Sequence, residues 1–148
     1  MRVFVDPQAF YAALVRTDPQ HTAAGATLRA LLTDGAQLCT TSYALHELMR
    51  RLQEHVGLHA VLEFERTYRP FLSVVWIKEE DHRATYARLR RRWERSLSLA
   101  QASLLSSMEE SGVTGLFSYD PQLAEEGARL IRTPDEWRAY AQMVEAGR

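Results

Sequence analysis

Three consecutive apolar residues, Val3, Phe4 and Val5, followed at once by Asp6 and Pro7, leave this chain few ways to begin. All three are β-branched or aromatic, and no polar residue alternates with them, so they predict a strand covered on both faces inside a parallel sheet. Pro7 has no N–H to give a ladder, yet its φ is preset for a first helical turn. The strand therefore ends at Asp6, which becomes the N-cap of a helix running from Pro7 to about Arg16. Its carboxylate stands at the carboxyl edge of a sheet, where open α/β folds bind their ligands. Taken singly, a plain N-cap is the more economical account of Asp6. The order returns later, however: Gly115-Leu116-Phe117-Ser118-Tyr119 reads as a strand and runs into Asp120-Pro121-Gln122.

Between these stretches, helical and strand patterns alternate. Ala24, Leu28, Leu31 and Leu32 keep helical spacing up to Asp34-Gly35. Gln37 to Thr41 reads as a strand, and Ser42 is placed to cap a helix carrying Leu45, Leu48, Met49 and Leu52. Gly57 breaks that helix, and Leu58 to Tyr68 forms the next. Leu72 to Ile77 is the clearest strand pattern in the chain, followed by a charged helix from Glu79 to Trp93. Ser96 or Ser98 starts a helix through Leu99, Ala102, Leu105 and Met108 that closes at Gly112. A brief strand at Leu130-Ile131 precedes Thr133-Pro134-Asp135-Glu136, a capping box opening a last helix to about Glu145. Strands separated by helices imply crossover connections, so the expected architecture is a three-layer α/β/α sandwich around a central parallel sheet, one domain over residues 1–148.

Composition narrows the function classes. The 148 residues carry a net charge of −1, so any nucleic-acid contact must come from a local basic patch. No basic leader precedes an apolar run and no stretch is long enough to span a bilayer, which points to a cytoplasmic protein with no membrane partner. The single cysteine, Cys39, sits in an apolar strand pattern and reads as a buried thiol rather than a nucleophile. There is no glycine-rich dinucleotide or phosphate loop and no nucleophile elbow, and Gln8 stands where a haloacid-dehalogenase phosphatase would carry its second aspartate.

Asp6, Asp120 and Glu47, one turn into a helix, are candidates for a shared site. Carboxylates gathered at one sheet edge repel unless a cation neutralises them, and hard oxygen donors suit Mg²⁺ or Mn²⁺, which activate water against phosphodiesters. Three unrelated surface acids are an almost equally good account of the residues alone. The order of motifs resembles the PIN domain, in particular the VapC-type toxin ribonucleases of bacterial toxin–antitoxin systems. The resemblance rests on Phe4-Val5-Asp6 with Ala9 to Leu14, on Thr40 to Leu48 around Glu47, and on Ser98-Leu99 through Met108, Gly112 and Tyr119-Asp120. It implies a parallel sheet between helices, catalytic and metal-binding roles for Asp6, Glu47 and Asp120, an RNA substrate, a cognate antitoxin protein, and a homodimer.

One position departs from the pattern. Where the family reads Ser-Leu-x-Asp, this chain reads Ser98-Leu99-Ala100-Gln101. A neutral amide oxygen can touch a cation but removes a unit charge, so Gln101 predicts a weakly held metal and slow cleavage. Two readings follow: a Mg²⁺-dependent endoribonuclease weakened by Gln101, or an inactive PIN module that binds RNA or a protein. Glu94, the only nearby substitute acid, lies too early in the pattern. Arg88, Arg91, Arg92 and Arg95 share a helical stripe, for which pairing with neighbouring acids is favoured over phosphate binding. His21, His46, His55, His59 and His82 show no metal-ligand spacing, and Gly57 separates His55 from His59. Phe64, Tyr68 and Phe71 suit core or dimer packing, as an apolar patch that would serve the homodimer.

Overall fold

The computed structural model describes residues 1–148. Strands β1 (Arg2–Val5), β2 (Gln37–Thr41), β3 (Leu72–Val75), β4 (Gly115–Phe117) and β5 (Arg129–Ile131) form one all-parallel sheet in the order β3-β2-β1-β4-β5. The helices are α1 (Pro7–Leu14), α2 (His21–Thr33), α3 (Ser42–His55), α4 (Leu58–Thr67), α5 (Glu79–Arg91), α6 (Leu99–Ser111), α7 (Pro121–Glu125) and α8 (Pro134–Ala146).

The pleat sorts the side chains into two cores. Val3 and Val5 point to one side, where they meet Phe10, Leu31, Leu48, Phe64 and Trp137 from α1, α2, α3, α4 and α8. Phe4 points to the other and packs with Leu104, Met108, Leu116 and Leu123 beneath α6 and α7. The three apolar residues of β1, Val3, Phe4 and Val5, are buried, as a run without alternation requires. The result is the expected three-layer sandwich. No helix is long and apolar enough to cross a membrane.

The chain lays β2 and β3 on one side of β1, then crosses back to place β4 and β5 on the other. Strand order thus reverses between β1 and β4, and the crevice beyond the carboxyl ends of such a pair is the binding position of open α/β sheets. Asp6 and Asp120 follow the two flanking strands. Behind them, Gly115 lets α8 close on β4: the Tyr140 hydroxyl accepts the Gly115 N–H at 3.1 Å, and a Cβ on Gly115 would come within 2.6 Å of the tyrosine Cζ.

Several sequence expectations need correction. The Leu72 to Ile77 run, the clearest strand pattern, ends at Val75 and forms the sheet edge, paired only with β2. Its apolar residues are therefore partly bare, with Val75 38% and Trp76 62% exposed. The cap of α3 is Thr41, whose hydroxyl accepts the Ala44 N–H at 3.1 Å, while Ser42 Oγ accepts the Ile77 N–H at 2.9 Å and fixes the end of β3. Helix α1 stops at Leu14 and α5 at Arg91, each about one half-turn early. The aromatic set divides: Phe64 is buried against Phe10 in an edge-to-face contact of 5.7 Å and stacks with Tyr68, whereas Phe71 is 63% exposed. Two of the three belong to the core, and no patch of three aromatics reaches the surface.

Candidate functional site

The two aspartates are positioned by the same local device. The Asp6 N–H bonds to the Phe117 carbonyl at 3.0 Å, continuing the β1–β4 ladder, and Asp6 Oδ1 caps α1 by accepting the Gln8 N–H at 3.3 Å. Asp120 Oδ1 caps α7 by accepting the Gln122 N–H at 3.1 Å. Ser118, wholly buried, links the pair: its Oγ donates to Asp6 Oδ2 at 2.7 Å and accepts the Asp120 N–H at 3.1 Å. The strand pattern from Gly115 to Tyr119 does not mark Ser118 for this role, although a serine two residues before an aspartate readily bonds that residue's N–H.

Asp6 is 1% exposed. Burial lifts its carboxyl from 3.8 to about 6, and the charges of Asp120 and Glu47 push in the same direction, against the pull of the Ser118 and Gln8 bonds. Glu47, half-buried one turn into α3, thus belongs to the same electrostatic neighbourhood. The arrangement brings Asp6 and Asp120 together and sets Glu47 near enough to act on Asp6. No three His, Cys, Asp or Glu side chains are arranged to hold a metal ion.

Gln101 enters from the first turn of α6 and is buried. Its N–H donates to the Ser98 hydroxyl at 3.0 Å, and its side-chain Oε1 accepts the Ser98 N–H at 3.1 Å, which completes a capping box. Its Nε2 donates to Asp120 Oδ2 at 2.9 Å. A backbone N–H can only donate, so the amide atom facing Ser98 must be the oxygen. Gln101 therefore offers the acids an NH₂, and turning its oxygen towards them would set that NH₂ against the Ser98 N–H.

The remaining candidates lie elsewhere or are occupied. Arg88 donates to Ser106 Oγ and pairs with Glu109, Arg92 pairs with Glu126, and Arg95 pairs with Glu125, so three of the four stripe arginines serve to fasten α5 and its following turn to α6 and α7. Glu94 is exposed in that turn and is not among the charges acting on Asp6. Gly57, at φ 133°, separates His55 at the end of α3 from His59 in α4, and His46 is exposed. Cys39 is buried, and burial pushes its thiol above the ordinary range, which suits an inert core residue.

A family model, that of the PIN domain, matches residues 3–128. Among curated proteins no sequence matches. Solved structures share the fold. VapC20 of Mycobacterium tuberculosis, a Sarcin-Ricin loop cleaving toxin, is 20% identical over 88% of this chain and 98% of its own, with a TM-score of 0.76. VapBC2 from Rickettsia felis, bound to a DNA fragment from their promoter, is 13% identical over 88% and 98%, with a TM-score of 0.66. FitAcB from Neisseria gonorrhoeae is 11% identical over 90% and 98%, with a TM-score of 0.63. With the sheet order, the strand-end aspartates and a family model spanning most of its length in agreement, the chain belongs to the PIN domain family.

Proposed function

We propose that this PIN domain is a metal-dependent endoribonuclease of the toxin–antitoxin kind, attenuated at its metal pocket. The observation that carries the reading is Asp6: a carboxyl buried at a strand-order reversal, beside two further acids whose charge raises its affinity for a proton. A buried acid with like-charged neighbours is relieved by a cation as well as by a proton, and an all-oxygen set suits Mg²⁺ or Mn²⁺. Asp6, Glu47 and Asp120 match that ion in charge and donor type, although the three are not drawn together into a ready cluster, and Gln101, the fourth position, adds no oxygen ligand while its amide faces Asp120 with nitrogen. When bound, the ion supplies a Lewis acid and an activated water for attack on an RNA phosphodiester. The chain's own part is to hold the acids. Two N-caps and the Ser118 hydroxyl fix one oxygen or both of Asp6 and Asp120, so their orientation does not depend on the ion. A cognate antitoxin, a homodimer, a single domain over residues 1–148 and a cytoplasmic setting belong to the same proposal; of these, the antitoxin is the one that likeness to VapBC2 and FitAcB supports.

Gln101 favours a second reading, a PIN module that binds RNA or a partner protein without cutting, because its NH₂ already satisfies the Asp120 oxygen that would otherwise seek a cation. One set of variants separates the two. Mg²⁺ and Mn²⁺ titrations with RNA cleavage assays are run on wild type, Gln101→Asp, and Gln101→Asp combined with Asp6→Asn. The attenuated enzyme cuts slowly, gains metal affinity and rate with Gln101→Asp, and loses both in the double variant. An inert Gln101→Asp establishes the non-cutting module, and rapid cleavage by the wild type refutes attenuation.

A further inference from the structure

The outer face of α5 is not accounted for by the acid pocket or by packing. His82, Tyr86 and Arg90 fall four residues apart, on one side of the helix, and Trp93 follows in the turn just past its end. Tyr86 is 54% exposed and Trp93, at 79%, is the barest large apolar side chain in the chain. The opposite side of α5 supplies the anchoring: Thr85 is buried, and Arg88 is tied to Ser106 and Glu109. Arg90 and Arg91 take part in no ion pair, whereas Arg83, Arg88, Arg92 and Arg95 each have an acidic partner. Exposed aromatics alternating with unneutralised guanidinium groups are poor material for a purely solvated face, and they are the composition of a surface that stacks bases and tracks phosphates.

The stripe also connects with the pocket. His82 Nδ1 is hydrogen-bonded to the Tyr43 hydroxyl at 2.6 Å, with the rings edge to face. Tyr43 lies in the first turn of α3, one turn before Glu47 and therefore on the same side of that helix. At the other end, Trp93 is five residues from Ser98, so its Cα lies within about 18 Å of the cap that orients Gln101. The turn carrying Trp93 is pinned to α7 by Arg92 with Glu126 and by the Ser96 N–H on Gln122 Oε1, and the Gln122 N–H is the one that Asp120 caps.

We infer that the exposed α5 face, with Tyr86 and Trp93 as stacking platforms and Arg90 as a phosphate contact, binds single-stranded RNA and leads it to the acid pocket. This rests on the reading of that pocket as one that acts on RNA. With more than half of their surface bare, Tyr86 and Trp93 lie outside both cores, and a duplex would offer them no free base faces.

The test uses the full chain in EDTA, so that cutting does not intervene, and follows the fluorescence anisotropy of a labelled single-stranded oligoribonucleotide. Trp93→Ala and Tyr86→Ala each weaken binding about tenfold, Trp93→Phe keeps most of the affinity, and Arg90→Ala lowers the slope of log affinity against log salt by about one. Thermal melts of all four stay at the wild-type value. Unchanged affinity in both alanine variants, or equal binding of duplex RNA, overturns the α5 surface while leaving the ribonuclease reading intact. A wild type that binds no RNA overturns the surface as well, and if Gln101→Asp is also inert the ribonuclease reading falls with it.

Discussion

Replacing Asp6 by asparagine should stabilise the folded protein at neutral pH, although Asp6 is the residue most central to the pocket. The carboxyl moves from 3.8 to about 6 on folding. Between those values the folded chain holds a proton that the unfolded chain has lost, so stability falls as pH rises through the window and the full penalty is present above it. At about 1.4 kcal/mol per pH unit, the penalty is about 3 kcal/mol at pH 7. Asparagine carries no charge to bury, and its oxygen can keep the cap on the Gln8 N–H. Its NH₂ must, however, meet the Ser118 hydroxyl that now donates to Asp6, and reversing that bond costs about 1 kcal/mol. The net gain at pH 7 is about 2 kcal/mol, or roughly 4–8 °C in Tm for a chain of this size. Below pH 4 only the reversed bond remains and the variant is the weaker protein, so the two stability profiles cross. Urea unfolding of both proteins in EDTA from pH 3.5 to pH 7.5 measures this. Added Mg²⁺ should then raise the wild type alone, by an amount that yields its dissociation constant. Parallel profiles across the window, or an asparagine variant less stable at pH 7, would refute the account of Asp6 as a buried, charge-crowded acid.

Two further outcomes test the packing. Gly115→Ala should destabilise by about 1–3 kcal/mol in denaturant titrations, because its Cβ would fall 2.6 Å from the buried Tyr140 ring and force α8 outward. Phe64→Ala should cost about 3–5 kcal/mol by removing the centre of the Phe10–Tyr68 cluster, while the exposed Phe71→Ala should stay within about 0.5 kcal/mol of wild type; similar losses in both would contradict the division of that aromatic set.

The parts of the fold legible in the sequence are those fixed by neighbours along the chain. The Asp-Pro-Gln steps after Val5 and Tyr119 each encode a cap and a first turn, so local sequence alone places both aspartates. It does not place β3 at the edge, because strand order is decided by pairing between distant segments, and a run of apolar residues looks alike in the middle of a sheet and at its rim. Thr41 and Ser42 are adjacent and both are capping residues; Thr41 takes the cap while Ser42 accepts the Ile77 N–H from thirty-five residues away, a pairing that no local pattern reveals. Helical spacing grouped Phe64, Tyr68 and Phe71 without telling which side faced the core. Gln101 is the instructive case. Its loss of charge was plain, and Ser98-Leu99-Ala100-Gln101 already spelled a capping box. Read as such, it would have foretold that nitrogen, and not oxygen, turns to Asp120.

Ser118 gives the pocket a property of an engineered fixture. One hydroxyl spaces the strand-end acids, holding a carboxylate oxygen of the first and the backbone N–H of the second. Helix caps, rather than mutual attraction or an ion, set the direction of each. The seat is thus machined independently of what is put in it, and its chemistry can be armed, silenced or exchanged at single positions while its dimensions hold. A change at Gln101, which touches only the outer oxygen of Asp120, should therefore alter what the seat offers a ligand while the spacing of its two strand-end acids stays as it is.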